Sequence, residues 1–269
     1  MSYDAAWELP PFTTTELAEK KRDHCILVPV LNQGRILIDQ LRRMQSQMHL
    51  VDVVVCDGAS DDGSTDPERL RECGVRSLLV TPEPGIGTAT RMGLAYALAQ
   101  GYRGVLMIDG NGKDRVSTIA DLVRALEDGH DMVQASRFLP GGRHENTPLE
   151  RWVGIRLVCS PILSLSSGFF WSDPNNTMKA MSRRYLLDPR LAPFRHVFRR
   201  YNMHYHLNRM APRLGYRALE VPHVRIYPAA DRGRLFRTRA TRIHGLRPRL
   251  QIVWELLCEV AGRYDVRPR

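Results

Sequence analysis

The stretch MIDGNGKD, residues 107–114, ends an apolar run on an aspartate and then turns through two glycines into charge. It completes the run GVLMID (104–109), and four comparable runs occur elsewhere: CILVPV (25–30), VDVVVC (51–56), VRSLLV (75–80) and DMVQAS (131–136). Runs this short, rich in branched residues and apolar at consecutive positions, suit strands buried on both faces. Helical patterns separate them. Leu37, Leu41, Met44 and Met48 recur at helical spacing, as do Ile119, Leu122, Val123 and Leu126. Asp66-Pro67 offers an N-cap and a first-turn proline, and Gly101 a stop for the helix in GTATRMGLAYALAQ. Strands alternating with helices specify an α/β fold, three layers around a mainly parallel sheet with right-handed crossovers. Ligands meet such sheets at the carboxyl ends of the strands, where Asp109 and Asn111 stand.

The second half is less regular. Residues 149–171 are apolar and partly helical, with Pro161 and Gly168 as interruptions. TMKAM (177–181) reads as a short strand, MHYHLNRMAPRLG (203–215) as a helix and YRALEVPHVRI (216–226) as a late strand. Residues 1–22 read as a polar N-terminal arm. Residues 23–269 read as one domain, divided into a half at 23–115 and a half at 116–269.

The chain has 269 residues and a formal net charge of +10, which favours anionic partners without naming them. An arginine-rich cluster spans residues 231–249, DRGRLFRTRATRIHGLRPR, with Phe236 as its one aromatic residue. Nucleic-acid binding would interleave more aromatics, so no nucleic acid is expected as partner. Five scattered cysteines in mostly apolar surroundings fit reduced core thiols. The N-terminus lacks the order of a signal peptide, and no apolar stretch approaches the roughly 20 residues of a membrane span. A cytoplasmic location is expected, peripheral at the inner membrane face if the partner is a lipid.

Four loops follow the strands: PVLNQG, DGASDDGS, TPEPGIG and DGNGKD. Asp57 stands directly at a strand end, where its carboxylate can accept from a base or a ribose, or cap its own turn. Gly85 and Gly87 are spaced as GxG with Thr90 in place of a third glycine. Such a glycine lets a backbone approach phosphate, and Arg91 one turn on adds charge. A diphosphate leaving group needs its charge neutralised, which Mg²⁺ or Mn²⁺ achieves with one or two carboxylates. Asp109 meets that minimum, and Asn111 offers a neutral carbonyl oxygen.

In this order the four loops resemble those of the family 2 glycosyltransferases with the GT-A (Rossmann-like) fold. ASRFLPGG (135–142) and SDPNNTMKAMSRR (172–184) are similar to the GSR-x-x-x-GG and D-x-x-x-G-F-R-A-F-x-R segments of their dolichyl-phosphate mannose synthase-like branch. The resemblance runs from about residue 24 to 228, and YPAADRGRLF is faintly similar to the branch's R-x-x-G-x-S-K segment. It implies that the 23–115 half holds the nucleotide sugar and the 116–269 half the acceptor. Pro29, Val30 and Asn32 would line the nucleotide pocket, Asp57 would contact base or ribose, and Gly87 and Arg91 would face the diphosphate. Asp109, Gly110 and Asn111 match the family's D-x-D, with Asp109 and Asn111 as metal ligands. Arg137 would sit near donor or acceptor phosphates.

The implied reaction is metal-dependent hexosyl transfer with inversion, from a nucleoside-diphosphate sugar to a polyprenyl phosphate or a soluble hydroxyl acceptor. A hydroxyl acceptor needs a general base, whereas a phosphate does not. Asp173 is the first candidate, though it could equally hold Arg137, and His204 is the second. Two other classes stay open. A nucleotidyltransferase would carry a glycine-rich basic loop where this chain has PVLNQG, and a non-catalytic nucleotide binder would fit the amide at Asn111.

Overall fold

In the computed structural model, residues 3–229 and 246–266 are described. The strands are β1 (Thr13–Glu16), β2 (His24–Val30), β3 (Val51–Asp57), β4 (Val75–Val80), β5 (Gly104–Met107), β6 (Met132–Ser136), β7 (Arg143–Glu145), β8 (Lys179–Ser182), β9 (Ala218–Pro222) and β10 (Val224–Ile226). The helices are α1 (Arg35–Met44), α2 (Pro67–Glu72), α3 (Ile86–Ala99), α4 (Thr118–Glu127), α5 (Leu149–Val153), α6 (Ser160–Ser167), α7 (Arg183–Leu186), α8 (Asn202–Arg213) and α9 (Leu246–Val260). β2 and β3 are buried at every position, the mark of a sheet covered on both faces. Alternate side chains feed two cores: Cys25, Leu27, Val54 and Cys56 on one face, Ile26, Val28, Val53 and Val55 on the other. Each fully buried aliphatic side chain stabilises the fold by about 1.5–3 kcal/mol. The five cysteines are free and buried.

The sheet runs β1-β4-β3-β2-β5-β8-β6-β9. β4, β3, β2 and β5 are parallel, β6 pairs parallel with β9, and β1 and β8 run antiparallel to their neighbours. Part of the N-terminal arm is thus an edge strand, and its Trp7 stacks on Phe194 at 4.0 Å. The late strand is two strands, broken at His223, and β10 pairs with β7 instead of joining the main sheet. Asp66 caps α2 as predicted, accepting from the Arg69 N–H at 3.1 Å. Pro161 does not interrupt its helix. The chain stays helical from Leu149 to Ser167 through a π turn at Gly154–Cys159, and Pro161 falls in the first turn after it. No described helix is long and apolar enough to cross a membrane.

The reversed strand positions the site. Because β8 runs against β5 and β6, with Lys179 opposite both Met107 and Gln134, the segment entering it lies where those strands end. β9 finishes at the same end, with Pro222 opposite Ser136. Asp109, Arg137, Asp173 and Arg225 therefore meet from four separate stretches of chain.

Candidate active site

The loop after β5 is clamped from below. Gln40 on α1, fully buried, donates from Nε2 to the Asp109 carbonyl at 2.7 Å and accepts the Gly112 N–H at 2.6 Å. Gly110 is required by closeness: a Cβ there would lie 2.6 Å from Val30 Cγ1. Sequence reasoning missed Gln40, although a polar residue on the apolar face shared by Leu37 and Met44 is a readable signal.

Asp109 projects from this loop to meet a cation. Arg225 Nη2 donates to Asp109 Oδ2 at 2.8 Å, and Asn111 Nδ2 donates to the same oxygen at 3.1 Å. Arg225 Nη1 is held by both oxygens of buried Asp114, each at 2.7 Å. His223 Nε2 lies 2.8 Å from Asp114 Oδ1 and its Nδ1 3.0 Å from Thr118 Oγ1. Burial alone would raise the Asp114 pKa, but Arg225 and His223 outweigh it and hold the carboxyl well below its ordinary range. Neither Arg225 nor Asp114 was singled out in the sequence, where they read as one arginine and one acid among many.

A second cluster adjoins the first. Arg137 grips Asp173 bidentately, Nε to Oδ2 at 2.6 Å and Nη2 to Oδ1 at 2.7 Å. Its Nη1 lies 3.4 Å from the Tyr227 hydroxyl, which also accepts from Arg151 Nη1 at 3.0 Å. Burial would raise the Tyr227 pKa, but Arg151, Arg225 and Arg137 lower it to about 7. Asp109, Arg137, Arg151, Arg225, Tyr201 and Tyr227 line one pocket of about 170 Å³, whose apolar wall includes Ile155 and Val158 from the π turn and Ile252 and Val253 from α9.

Several expected site residues have other employment. Asp57 is buried, and its oxygens accept from the Ser60 N–H and hydroxyl and from the Thr65 hydroxyl, so it closes its own turn. Pro29 and Val30 end the central strand, with Val30 opposite Asp57. Asn32 takes a left-handed φ of 47° and accepts the Asp61 N–H at 2.8 Å, tying the first two loops together. Gly87 makes its close approach to protein: a Cβ would lie 2.6 Å from the Arg199 carbonyl carbon and the Arg200 nitrogen. Arg91 is fully buried and donates to the Glu8 carbonyl of the N-terminal arm, so it does not face the pocket. Asp173 has both oxygens bonded to Arg137 and is placed to hold that arginine. His204 is buried on α8, away from the pocket lining, and burial followed by the neighbouring Lys179 pushes its pKa well below the ordinary value. The cluster at 231–249 and the faint YPAADRGRLF match fall mostly outside the described residues.

The resemblance assigns a divalent cation to Asp109 and Asn111. Among the described residues Asp109 Oδ1 accepts no hydrogen bond, so one carboxylate oxygen at the pocket is open to a Mg²⁺ or Mn²⁺ that draws its other ligands from phosphate and water. Asn111 points its Nδ2 at Asp109 and its Oδ1 at the Lys113 N–H, 3.3 Å away, so it could ligate only after its amide turns over. The donor set fits a one-carboxylate site. A separate group, His206, Glu259 and Asp265, has ligand atoms within 4.8 Å of one another. There Arg209 already supplies the cation, 3.1 Å from Glu259 and 2.6 Å from Asp265, and the network ties α8 to α9 and the segment after it.

No protein-family model matches the chain. The undecaprenyl-phosphate mannosyltransferase of Micrococcus luteus is 30% identical over 135 residues, 48% of this chain and 55% of that protein. The polyprenol monophosphomannose synthase of Mycolicibacterium smegmatis is 27% identical over 137 residues, 48% of this chain and 50% of that protein. The chain thus spans about half the length of these curated relatives. Among solved structures, glucosyl-3-phosphoglycerate synthase of Mycobacterium tuberculosis, in complex with Mn²⁺, UDP and phosphoglyceric acid, superposes with a TM-score of 0.63 at 18% identity, covering 91% of this chain and 79% of that one. With the ordered motifs and the sheet topology, these likenesses show a GT-A-like fold and support a family 2 glycosyltransferase of the dolichyl-phosphate mannose synthase type.

Proposed function

We propose that the protein is an inverting glycosyltransferase that moves a sugar from a nucleoside-diphosphate sugar to the phosphate of a polyprenyl acceptor. The observation that carries this reading is the convergence of Asp109, Arg225, Arg137, Arg151 and Tyr227 on one pocket at the carboxyl end of the sheet. An acceptor oxygen attacks the anomeric carbon from the face opposite the diphosphate; the new C–O bond forms as the bond to the diphosphate breaks, and the nucleoside diphosphate leaves. Arg137 and Arg151 hold anionic oxygens in place, and Arg225 presents positive charge beside Asp109, so the field is arranged before the reaction begins. When bound at Asp109, Mg²⁺ or Mn²⁺ would supply further charge to the leaving diphosphate.

Two observations favour a phosphate acceptor over a hydroxyl. Each acid lining the pocket is ion-paired with an arginine, Asp109 with Arg225 at 2.8 Å and Glu150, whose Oε2 stays unpartnered, with Arg249 at 3.0 Å. The pocket also opens beside exposed apolar helices. Leu149, Val153, Leu157 and Leu165 are exposed at four- and eight-residue spacing, Leu157 at 65% and Leu165 at 87%, and Trp254 on α9 is exposed as well. Residues four apart on a regular helix drift by about 40° per step, which would wrap this stripe nearly halfway round. The wider π turn at Gly154–Cys159 cancels much of that drift and keeps the stripe on one face. Such a face suits peripheral contact with a bilayer that carries the acceptor.

A thermal-shift screen of UDP-, GDP- and dTDP-sugars with Mn²⁺ tests the donor. A ligand at a hundred times its Kd adds about 2.7 kcal/mol of stability. Transfer from the best donor to a polyprenyl phosphate, lost in Asp109→Ala, is the expected result. Failure of every nucleotide sugar to stabilise the protein would refute the reading.

A further inference from the structure

We propose that Arg225 is a built-in rival of the divalent cation for Asp109, so that metal binds well only together with a diphosphate. The inference rests on the glycosyltransferase reading above. Its starting point is the rigidity of this arginine. Arg225 is 4% exposed, and the backbone around it is pinned to the Asp109 loop: the Arg115 N–H donates to Val224 at 3.0 Å and the Ile226 N–H to Lys113 at 3.0 Å. One end of its guanidinium is fixed by two 2.7 Å bonds to Asp114, itself buried and in contact with His223. The Nη2 end reaches Asp109. Arg225 therefore remains at the strand mouth whatever is bound, and the partner of Nη2 is what can change.

The amide at Asn111 supports the same conclusion. Its Nδ2 donates to Asp109 Oδ2 while its Oδ1 accepts from Lys113 N–H, the orientation an acid prefers when no cation lies between the two residues. A pair of acids at these positions would attract a cation strongly. Here one position is neutral and the remaining acid already faces a guanidinium, so a lone divalent ion meets little net negative charge. A bound diphosphate reverses the balance. Its oxygens offer ligands to the metal and a new acceptor to Arg225 Nη2, which releases Asp109 Oδ2. Arg225 acts through Asp109 on the metal, and is in that respect a positioning residue.

The test measures Mn²⁺ binding to the full-length protein without any donor, by the loss of the free-ion electron paramagnetic resonance signal. Because Arg225→Gln alone strands the buried Asp114 charge, it is paired with Asp114→Asn, and Arg225→Lys serves as a second variant whose single ammonium cannot span both carboxylates. Circular dichroism confirms folding. Both variants are expected to bind Mn²⁺ more tightly than the parent, the double variant by roughly tenfold. Adding UDP should tighten Mn²⁺ binding in the parent and do so less in the double variant. Equal Mn²⁺ affinity in parent and variants, with binding still lost in Asp109→Asn, would overturn the role of Arg225 and leave the metal reading standing. Mn²⁺ binding unaffected by Asp109→Asn would overturn both.

Discussion

Asp173→Asn separates a holder from a base. The carboxylate is fully buried and accepts from Arg137 Nε at 2.6 Å, Nη2 at 2.7 Å and the backbone N–H at 3.2 Å. An amide keeps one acceptor oxygen and turns an NH₂ group toward a guanidinium that can only donate. The change leaves a buried positive charge without its partner, a loss of about 3–5 kcal/mol. At about 2–4 °C per kcal/mol for a domain of this size class, the midpoint should fall by roughly 6–20 °C in calorimetry. The double variant Arg137→Met/Asp173→Leu removes both charges and should recover most of that stability, so the cycle gives a large coupling energy. Transfer activity should fall together with that of Arg137→Lys, with the same pH profile as the parent. A variant that melts within about 1 kcal/mol of the parent while losing one limb of the pH–rate curve would refute the assignment and restore Asp173 as a general base.

Further perturbations address other parts of the molecule. Lys179 is buried with its Nζ on Asn208 Oδ1 at 2.6 Å, and burial lowers its pKa to about 7. The unfolded lysine titrates near 10.4, so between about pH 7 and 10 the unfolded state binds the extra proton and stability rises with pH. Urea unfolding across that range should show the rise in the parent and a flatter line in Lys179→Met; parallel lines would remove Lys179 as the cause. Gly87→Ala drives a Cβ into the Arg199–Arg200 backbone and should cost about 1–3 kcal/mol in thermal unfolding. Leu157→Glu and Leu165→Glu, at exposed positions, should leave the melting midpoint unchanged while abolishing sedimentation with anionic vesicles and the accompanying blue shift of tryptophan emission; unchanged vesicle binding would count against the apolar face.

The alternation of buried strands and amphipathic helices was legible because each element carries its own period. β2, β3 and β4 fall within a residue of their apolar runs. The edge strand Thr13–Glu16 was not legible, since its four exposed residues bury nothing and are paired only because β4 offers a free edge. Asp109, singled out at a strand end, and Arg137, singled out by its motif, both line the pocket. Asp57 and Arg91 turn to their own fold, which the sequence could not show for one shared reason: a strand-end acid and a helix-start arginine look the same in sequence whether they face a ligand or their own fold. Only the Ser60 and Thr65 donors, and the arm that brings Glu8 over α3, decide between the two. Arg225 and Asp114 lie 111 positions apart and could not be paired without the topology.

That topology also explains how the pocket tolerates its crowd of arginines. Arg137, Arg225 and Arg249 each have an acid of their own, Asp173, Asp114 and Glu150, at 3.0 Å or less. The pairing fixes each guanidinium from behind and offsets the cost of bringing the charges together before any ligand arrives. An entering diphosphate or phosphate then meets donors that need not reorganise, which is where preorganised electrostatics gains its advantage over water. Asp109 breaks the pattern. It is shared by Arg225 and an amide and keeps one oxygen toward the pocket, so its allegiance is the one that changes when anionic ligands enter. Reaction chemistry should therefore be most sensitive to substitutions that alter the partner of Asp109, and folding most sensitive to those that strip Asp114 or Asp173 from its arginine.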